Sequence, residues 1–398
     1  MSELSVFYHG GAQAKLVGKL VMFKQKIYFE YDAGFLESGL NLSPFLLPLK
    51  SGAQTPQANN PWHGLFGVFN DSLPDGWGLL LMDRHLQSLG VDIGHLSPLD
   101  RLAYIGNRGM GALSYKPSKA MGKEGFDIDL SELAASAISI YEGNTKECLA
   151  ELSQAGGSPG GARPKVLVHT KEERLISGEG KVPDSYTAWI VKFHASDEPS
   201  EAGRIEYAYS RMAKAAGIIM PETRLFEDKY GNAWFAIQRF DRVDGKCIHM
   251  HTMGGLVDAD FRLPSLDYIE VLKVTQALTR HEKDVEQAFA VMVFNVLAKN
   301  RDDHSKNFSF LMDEQGVWRL TPAYDLTYST GVHGEHTTSI AGEGKNPEVS
   351  HMLKVGQSVG LKATVMEKVI DNVRESISRW DEWCDMAGIA KAKRELNL

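Results

Sequence analysis

The chain has 398 residues, 43% of them apolar and 24% charged, with a formal charge of −8. That length allows two or three lobes, and the acidic balance provides no global field that would draw it to nucleic acid or an anionic membrane. Its three cysteines, Cys148, Cys247 and Cys384, are widely spaced with no CxxC, which argues against a disulfide framework and a structural zinc site.

The start, "MSELSVFYHGG", has no basic stretch followed by an apolar one. No run of about 18 apolar residues follows, so a cytoplasmic chain without a membrane span is expected. Residues 1 to about 50 read as short strands, "LSVFYHG", "KLVGKLVMF" and "KIYFEYDA", broken by Gly and Asp. After a polar loop, "LPDGWGLLLMDRHLQSLG" reads as a Pro/Gly turn feeding an amphipathic helix. A small unit ends near "IGNRGMGALSY", and helical periodicity runs from Leu130 to Leu152.

Beyond Gly156 the order of elements carries chemistry. The Gly-rich "GGSPGGARPK" enters a strand, "KVLVHT", and a second strand, "YTAWIVKFHA", has Lys192 near its end. "EAGRIEYAYSRMAKAAG" is a helix bearing Glu206, with Gly217 suited to end it. Strands "TRLFED" and "AWFAIQRF" flank a turn at Gly231. Two helices, "SLDYIEVLKVTQAL" and "VEQAFAVMVFNVLAKN", then lead to "NRDDHSKNFSF". A hairpin, "FSFLMDEQGVWRLTPAYD", a Gly- and His-containing loop and terminal helices complete the chain.

Phosphoryl transfer is mostly positioning and charge stabilisation, and it needs few parts. Glycines cover the nucleotide phosphates, a lysine oriented by a helix glutamate neutralises them, and a carboxylate orients the attacking hydroxyl. Hard oxygens hold magnesium. The parts stand here in kinase order: the Gly-rich loop, Lys192, Glu206, a crossover at Gln238-Arg239-Phe240, Asp302 five residues before Asn307, and Asp325. Each alone has an ordinary reading, since "GGSPGG" makes turns, a strand-end lysine is commonly a surface charge and "YD" caps helices. The cluster Asn300 to Asn307 is richer in acid, imidazole, amine and amide than a solvated turn requires.

These residues give the chain a family resemblance. N-x-D-x-H-x-K-N (Asn300, Asp302, His304, Lys306, Asn307), Ser-x-x-Gly-Ala-x-x-Lys (Ser158, Gly161, Ala162, Lys165), the helix Glu206 to Gly217 and "RFDR" at Arg239 to Arg242 resemble the HipA family. That family consists of bacterial serine/threonine kinases acting as toxins of toxin–antitoxin modules. "VGKL", "LSPFLLPL", "LPDGWG" and "GMGAL" resemble its N-terminal unit, so the likeness covers nearly the whole chain.

The resemblance implies an α+β, two-lobed protein-kinase-like fold with a β-rich N-terminal unit at 1–116. A kinase N-lobe-like region would occupy 117–240 and a helical C-lobe 241–398. It makes Asp302 the catalytic carboxylate and sets His304 and Lys306 along the γ-phosphate side. Asn307 and Asp325 would hold Mg2+. Lys192, oriented by Glu206, and the loop Gly160, Gly161, Ala162, Arg163 and Lys165 would bind ATP phosphates, with Gln238 and Phe240 at the adenine. Ser158 would be an autophosphorylation site. Arg163 departs from the glutamine often found there, and Asp303 offers a second acid, so only spacing selects Asp302. The implied partners are a HipB-like helix-turn-helix antitoxin, through which any DNA contact would come, and a translation-factor substrate, glutamyl-tRNA synthetase in the best-known branch. A small-molecule phosphotransferase shares the acid-to-amide spacing. A phosphoesterase using Asp302, Asp303 and His304 leaves Lys192 unemployed, and a non-catalytic repressor leaves the acids unemployed.

Overall fold

The computed structural model describes residues 2–119, 125–143, 152, 160–178, 181–195 and 198–394. The fold is mixed α+β. Strands β1 (Ser2–Tyr8), β2 (Lys15–Phe23), β3 (Lys26–Tyr31) and β4 (Leu113–Lys116) form an antiparallel sheet in the order β3-β2-β1-β4. Lys24 and Gln25, at φ +48° and +61°, make the two-residue turn between β2 and β3. Positive φ at both positions matches the strand twist, even without the usual Asn-Gly.

A second antiparallel sheet comprises β5 (Lys165–Lys171), β6 (Arg174–Ser177), β7 (Thr187–Lys192), β8 (Thr223–Glu227) and β9 (Ala233–Gln238), ordered β6-β5-β7-β9-β8. Between β7 and β8 runs the helix Ala202–Ala215. Gly217 (φ +86°) donates to Lys214 O and Ile218 donates to Ala213 O, the paired bonds that let a glycine close a helix.

The helix Tyr268–Thr279 opens on a reciprocal cap between Asp267 and Glu270. The helix Glu282–Leu297 is buried on nearly every face, so it forms the centre of the C-terminal part. Beside it, His249–Thr252 pairs with the hairpin Ser309–Met312 and Trp318–Leu320. One hydrophobic core joins Val6, Phe29 and Phe69 of the first sheet region to Met253, Tyr268 and Phe294. A second joins Trp77 and Leu81 to Ala137, Val168, Trp189 and Trp234.

The other strands and helices expected from the sequence fall where they were read; of the periodic stretch Leu130 to Leu152, Leu130–Tyr141 forms a helix and residues 144–151 lie outside the described residues. The strand Arg174–Ser177 and the helix Pro98–Ile105 were not anticipated. The helix carries a Ser97–Asp100 capping box behind Pro98, a signal present in the sequence. No helix among the described residues is long and apolar enough to cross a membrane.

Candidate active site

The cluster Asn300 to Asn307 is set by how its helix ends. Helix Glu282–Leu297 closes with Lys299 at φ +52°, Lys299 donating to Val296 O and Asn300 to Asn295 O at 2.9 Å. This is again the helix-terminating pair of bonds, with lysine in the place glycine usually takes. The chain thus leaves the helix sharply, and Asn300 becomes a hub. Its Nδ2 donates to Asn295 Oδ1 (2.9 Å) and to Asp325 O (3.3 Å). Asn295 Nδ2 donates to Tyr268 OH, which donates to Asp303 Oδ2, each at 2.9 Å.

That network separates the two adjacent acids. Asp303 is fully buried, and its carboxylate accepts from Tyr268 OH, His336 Nδ1 (2.9 Å) and the amides of Thr337 (2.9 Å) and Thr338 (3.2 Å). Asp302 is exposed and lines a pocket that Lys192, Arg163 and Asp325 also border. Its carbonyl, not its carboxylate, accepts from Asn307 Nδ2 at 2.6 Å.

On the opposite wall, Lys192 ends β7. Its Nζ lies 2.5 Å from Glu206 Oε1 and donates also to Asp325 Oδ1. Burial would lower the Lys192 pKa, but Asp325 and Glu206 carry it well above the ordinary lysine value. Burial would raise that of Asp325, and Lys192 and Lys165 hold it well below the carboxylate range. The lysine is therefore fully charged and Asp325 ionised at neutral pH. Asp325 itself sits at φ +57°, a left-handed conformation that asparagine and aspartate enter more readily than other side chains.

Between these walls lies a cleft with about 1020 Å³ of empty space, open solvent included. Gln238 and Phe240 line it at one end, with Phe240 backed by Tyr324 at a ring separation of 5.5 Å. Gly160, Gly161, Lys165, His304, Lys306, Asn307 and Asp325 are also among its lining. Ala162 and Arg163 border the adjoining pocket that holds Asp302. Arg163 Nε pairs with Glu198 at 2.6 Å. Lys165 Nζ donates to Gly160 O. Ser158 lies outside the described residues.

Among the described residues no group of three or more His, Cys, Asp and Glu forms a metal cage. Asp325 and Asn307 nevertheless supply an ionised carboxylate and an amide oxygen to one cleft. Such a small set of hard oxygens suits magnesium, which keeps several waters and phosphate oxygens of its own.

Two carboxylates in this region were not anticipated. Asp71 accepts from Thr252 N (2.7 Å), Thr252 Oγ1 (2.8 Å) and His251 Nδ1 (2.6 Å). Asp75 reaches into the cleft and pairs with Lys306 Nζ at 2.7 Å. In sequence both look like turn residues around "NDSLPDG", and their partners lie far along the chain.

A mixed α+β chain thus brings a buried lysine–glutamate pair and an acid-bearing loop together in one region. Residues 157–380 match the HipA-like C-terminal domain and residues 4–116 the HipA N-terminal domain, and the chain belongs to the HipA family. "Putative kinase Y4dM" of Sinorhizobium fredii is 27% identical over 209 residues, which are 48% of this chain and 50% of that protein. "Putative kinase" of Haemophilus influenzae is 24% identical over 189 residues, 44% of this chain and 53% of that one. The chain thus spans about half the length of the curated relatives it matches. HipA of Shewanella oneidensis MR-1, solved with HipB and operator DNA, superposes with a TM-score of 0.70. It covers 99% of this chain and 92% of its own at 19% identity, which shows the shared fold.

Proposed function

We propose that the protein is an ATP- and Mg2+-dependent serine/threonine protein kinase of HipA type. The observation carrying this reading is Lys192, held charged by Glu206 and Asp325 and lining one pocket with Asp302. Glu206 fixes the lysine head where nucleotide phosphates enter. Gly160 and Gly161 bring backbone close to them, and Gln238 and Phe240 receive the base. Asp302, free of the bonds that bind Asp303, orients the acceptor hydroxyl and takes its proton. Asp325 and Asn307 would hold magnesium, which supplies charge neutralisation at the phosphates.

The fold shared with HipA supports further assignments. The chain acts as the toxin of a module whose HipB-like antitoxin carries any contact with DNA, in keeping with a net charge of −8. Its target is a translation factor such as an aminoacyl-tRNA synthetase, and Ser158 is its autophosphorylation site. Residues 1–116, 117–240 and 241–398 are its three functional parts, and it works in the cytoplasm. The test is incubation of the intact chain with labelled ATP, Mg2+ and candidate proteins, beside Asp302→Asn, with phosphate located by mass spectrometry. Label on seryl or threonyl residues with the wild type alone is expected. Label on small molecules only, or equal transfer by the variant, overturns the assignment.

A further inference from the structure

Asp75 stands at the position that caps the helix Gly76–Ser88, yet its carboxylate accepts no bond from that helix. Aspartate at such a position ordinarily satisfies the helix's own first amides. Here both oxygens turn into the cleft instead: Oδ1 accepts from Gly161 N and Oδ2 from Lys306 Nζ at 2.7 Å. The backbones meet as closely as glycine permits. A Cβ on Gly76 would lie 2.6 Å from Gly161 O, and Trp77 N donates to that same oxygen at 3.1 Å. Gly161 sits at φ +100°, a backbone conformation that other side chains rarely adopt. Asp75 is buried; burial opposes its charge, but Lys306, the Gly161 amide and Lys165 keep its pKa below the usual value.

A glycine-loop amide and a neighbouring ammonium are the donors a phosphate group seeks. We propose that Asp75 is a specificity-determining residue of the nucleotide site, its carboxylate competing with the terminal phosphate of ATP for Gly161 N–H and Lys306 Nζ. This rests on the cleft being the ATP site. One amide and one ammonium do not satisfy a carboxylate and a phosphate together at this spacing, so a triphosphate must displace Asp75. A diphosphate, ending one group earlier, leaves it in place. The N-terminal part of the chain thereby sets how strongly the site prefers ATP over ADP.

Calorimetric titration of the intact protein in Mg2+ with the β,γ-imido analogue of ATP and with ADP tests this, using wild type, Asp75→Asn and Asp75→Ser. Both variants should bind the triphosphate analogue about tenfold more tightly, the scale of one charge-assisted hydrogen bond. Their ADP affinity should not change. Unchanged or weaker analogue binding, or an equal gain for ADP, overturns the proposal. Thermal unfolding checks that the variants are folded. If neither is, hydrogen exchange in the wild type decides: the Trp77 amide should exchange faster with the analogue bound, and an unchanged or slower rate overturns the idea. A wild type that binds neither nucleotide overturns the ATP-site reading instead.

Discussion

Asp302 and Asp303 are adjacent in the chain and opposite in their surroundings, and their substitution should separate catalysis from stability. Asp302→Asn should leave the unfolding midpoint unchanged and reduce phosphoryl transfer by about 10²–10⁴-fold, the usual contribution of a general base. Labelled-phosphate transfer measures it, and near-normal turnover removes the residue from the mechanism. Asp303→Asn should do the reverse first. It leaves His336 Nδ1, Tyr268 OH and two amides facing a neutral group in a fully buried place. A loss of roughly 3 kcal/mol in urea unfolding is expected. Sequence spacing already favoured Asp302, but only the hydrogen bonds around Asp303 explain why the second acid is there. Asp75 and Asp71 were not legible at all. A carboxylate in "NDSLPDG" reads as turn chemistry, and nothing local reports that Asp75 meets a lysine 231 positions away.

At the scale of elements, local signals recovered most of the fold because they are made by neighbours: the glycine after Ala202–Ala215, the cap before Tyr268, the periodicity of Glu282–Leu297. Sheet order was not legible, since β6-β5-β7-β9-β8 depends on pairings that no local pattern encodes. Two strands carry buried histidines that make stability depend on pH. Burial holds His169 in β5 and His249 in His249–Thr252 down to a pKa of about 4. Unfolded, each titrates near 6.5, so between about pH 6.5 and 4 the unfolded chain binds protons the folded one does not. Their neutral-state stability is complete above about 6.5 and declines as pH falls through that window. The depressed carboxylates Asp241 and Asp325 add their own loss only at still lower pH, around and below the unfolded value of 3.8. Urea midpoints at pH 7.5 and 5 should differ accordingly, and His249→Gln should flatten the slope. Equal slopes for variant and wild type exclude His249 as a source.

Across the whole molecule, the segment "RFDR" joins the parts. Arg239 grips Asp241 through Nε (2.9 Å) and Nη2 (2.8 Å), and Arg242 Nη1 donates to Asp241 Oδ2 and Gly111 O, both at 2.8 Å. Gly111 N donates back to Asp241 Oδ2 at 2.8 Å. This buried cluster fastens the segment before β4 to the chain after β9. Asp241→Asn leaves two buried guanidinium groups without their carboxylate and should destabilise by roughly 3–5 kcal/mol in chemical denaturation. A shift within error would mean that the cluster is not what fastens these parts.

The same long-range joins order events at the ribosome. The first sheet region docks onto His249, His251 and Asp258 through Leu42 O, Ser43 and Trp62, partners 196 to 208 positions later. At roughly 5–20 residues per second, Leu42, Ser43 and Trp62 wait about 10–40 seconds for that surface to be synthesised. Lys192 must likewise wait for Asp325, 133 positions on, a shorter interval that ends later in synthesis. The cleft that Lys192 and Asp325 close is thus among the last features of the nascent chain to form, and a chain released early carries most of the fold's mass without it. Nascent chains stalled at residue 240 should stay open to protease throughout 1–116, and protection there would show that the first sheet needs no later partner.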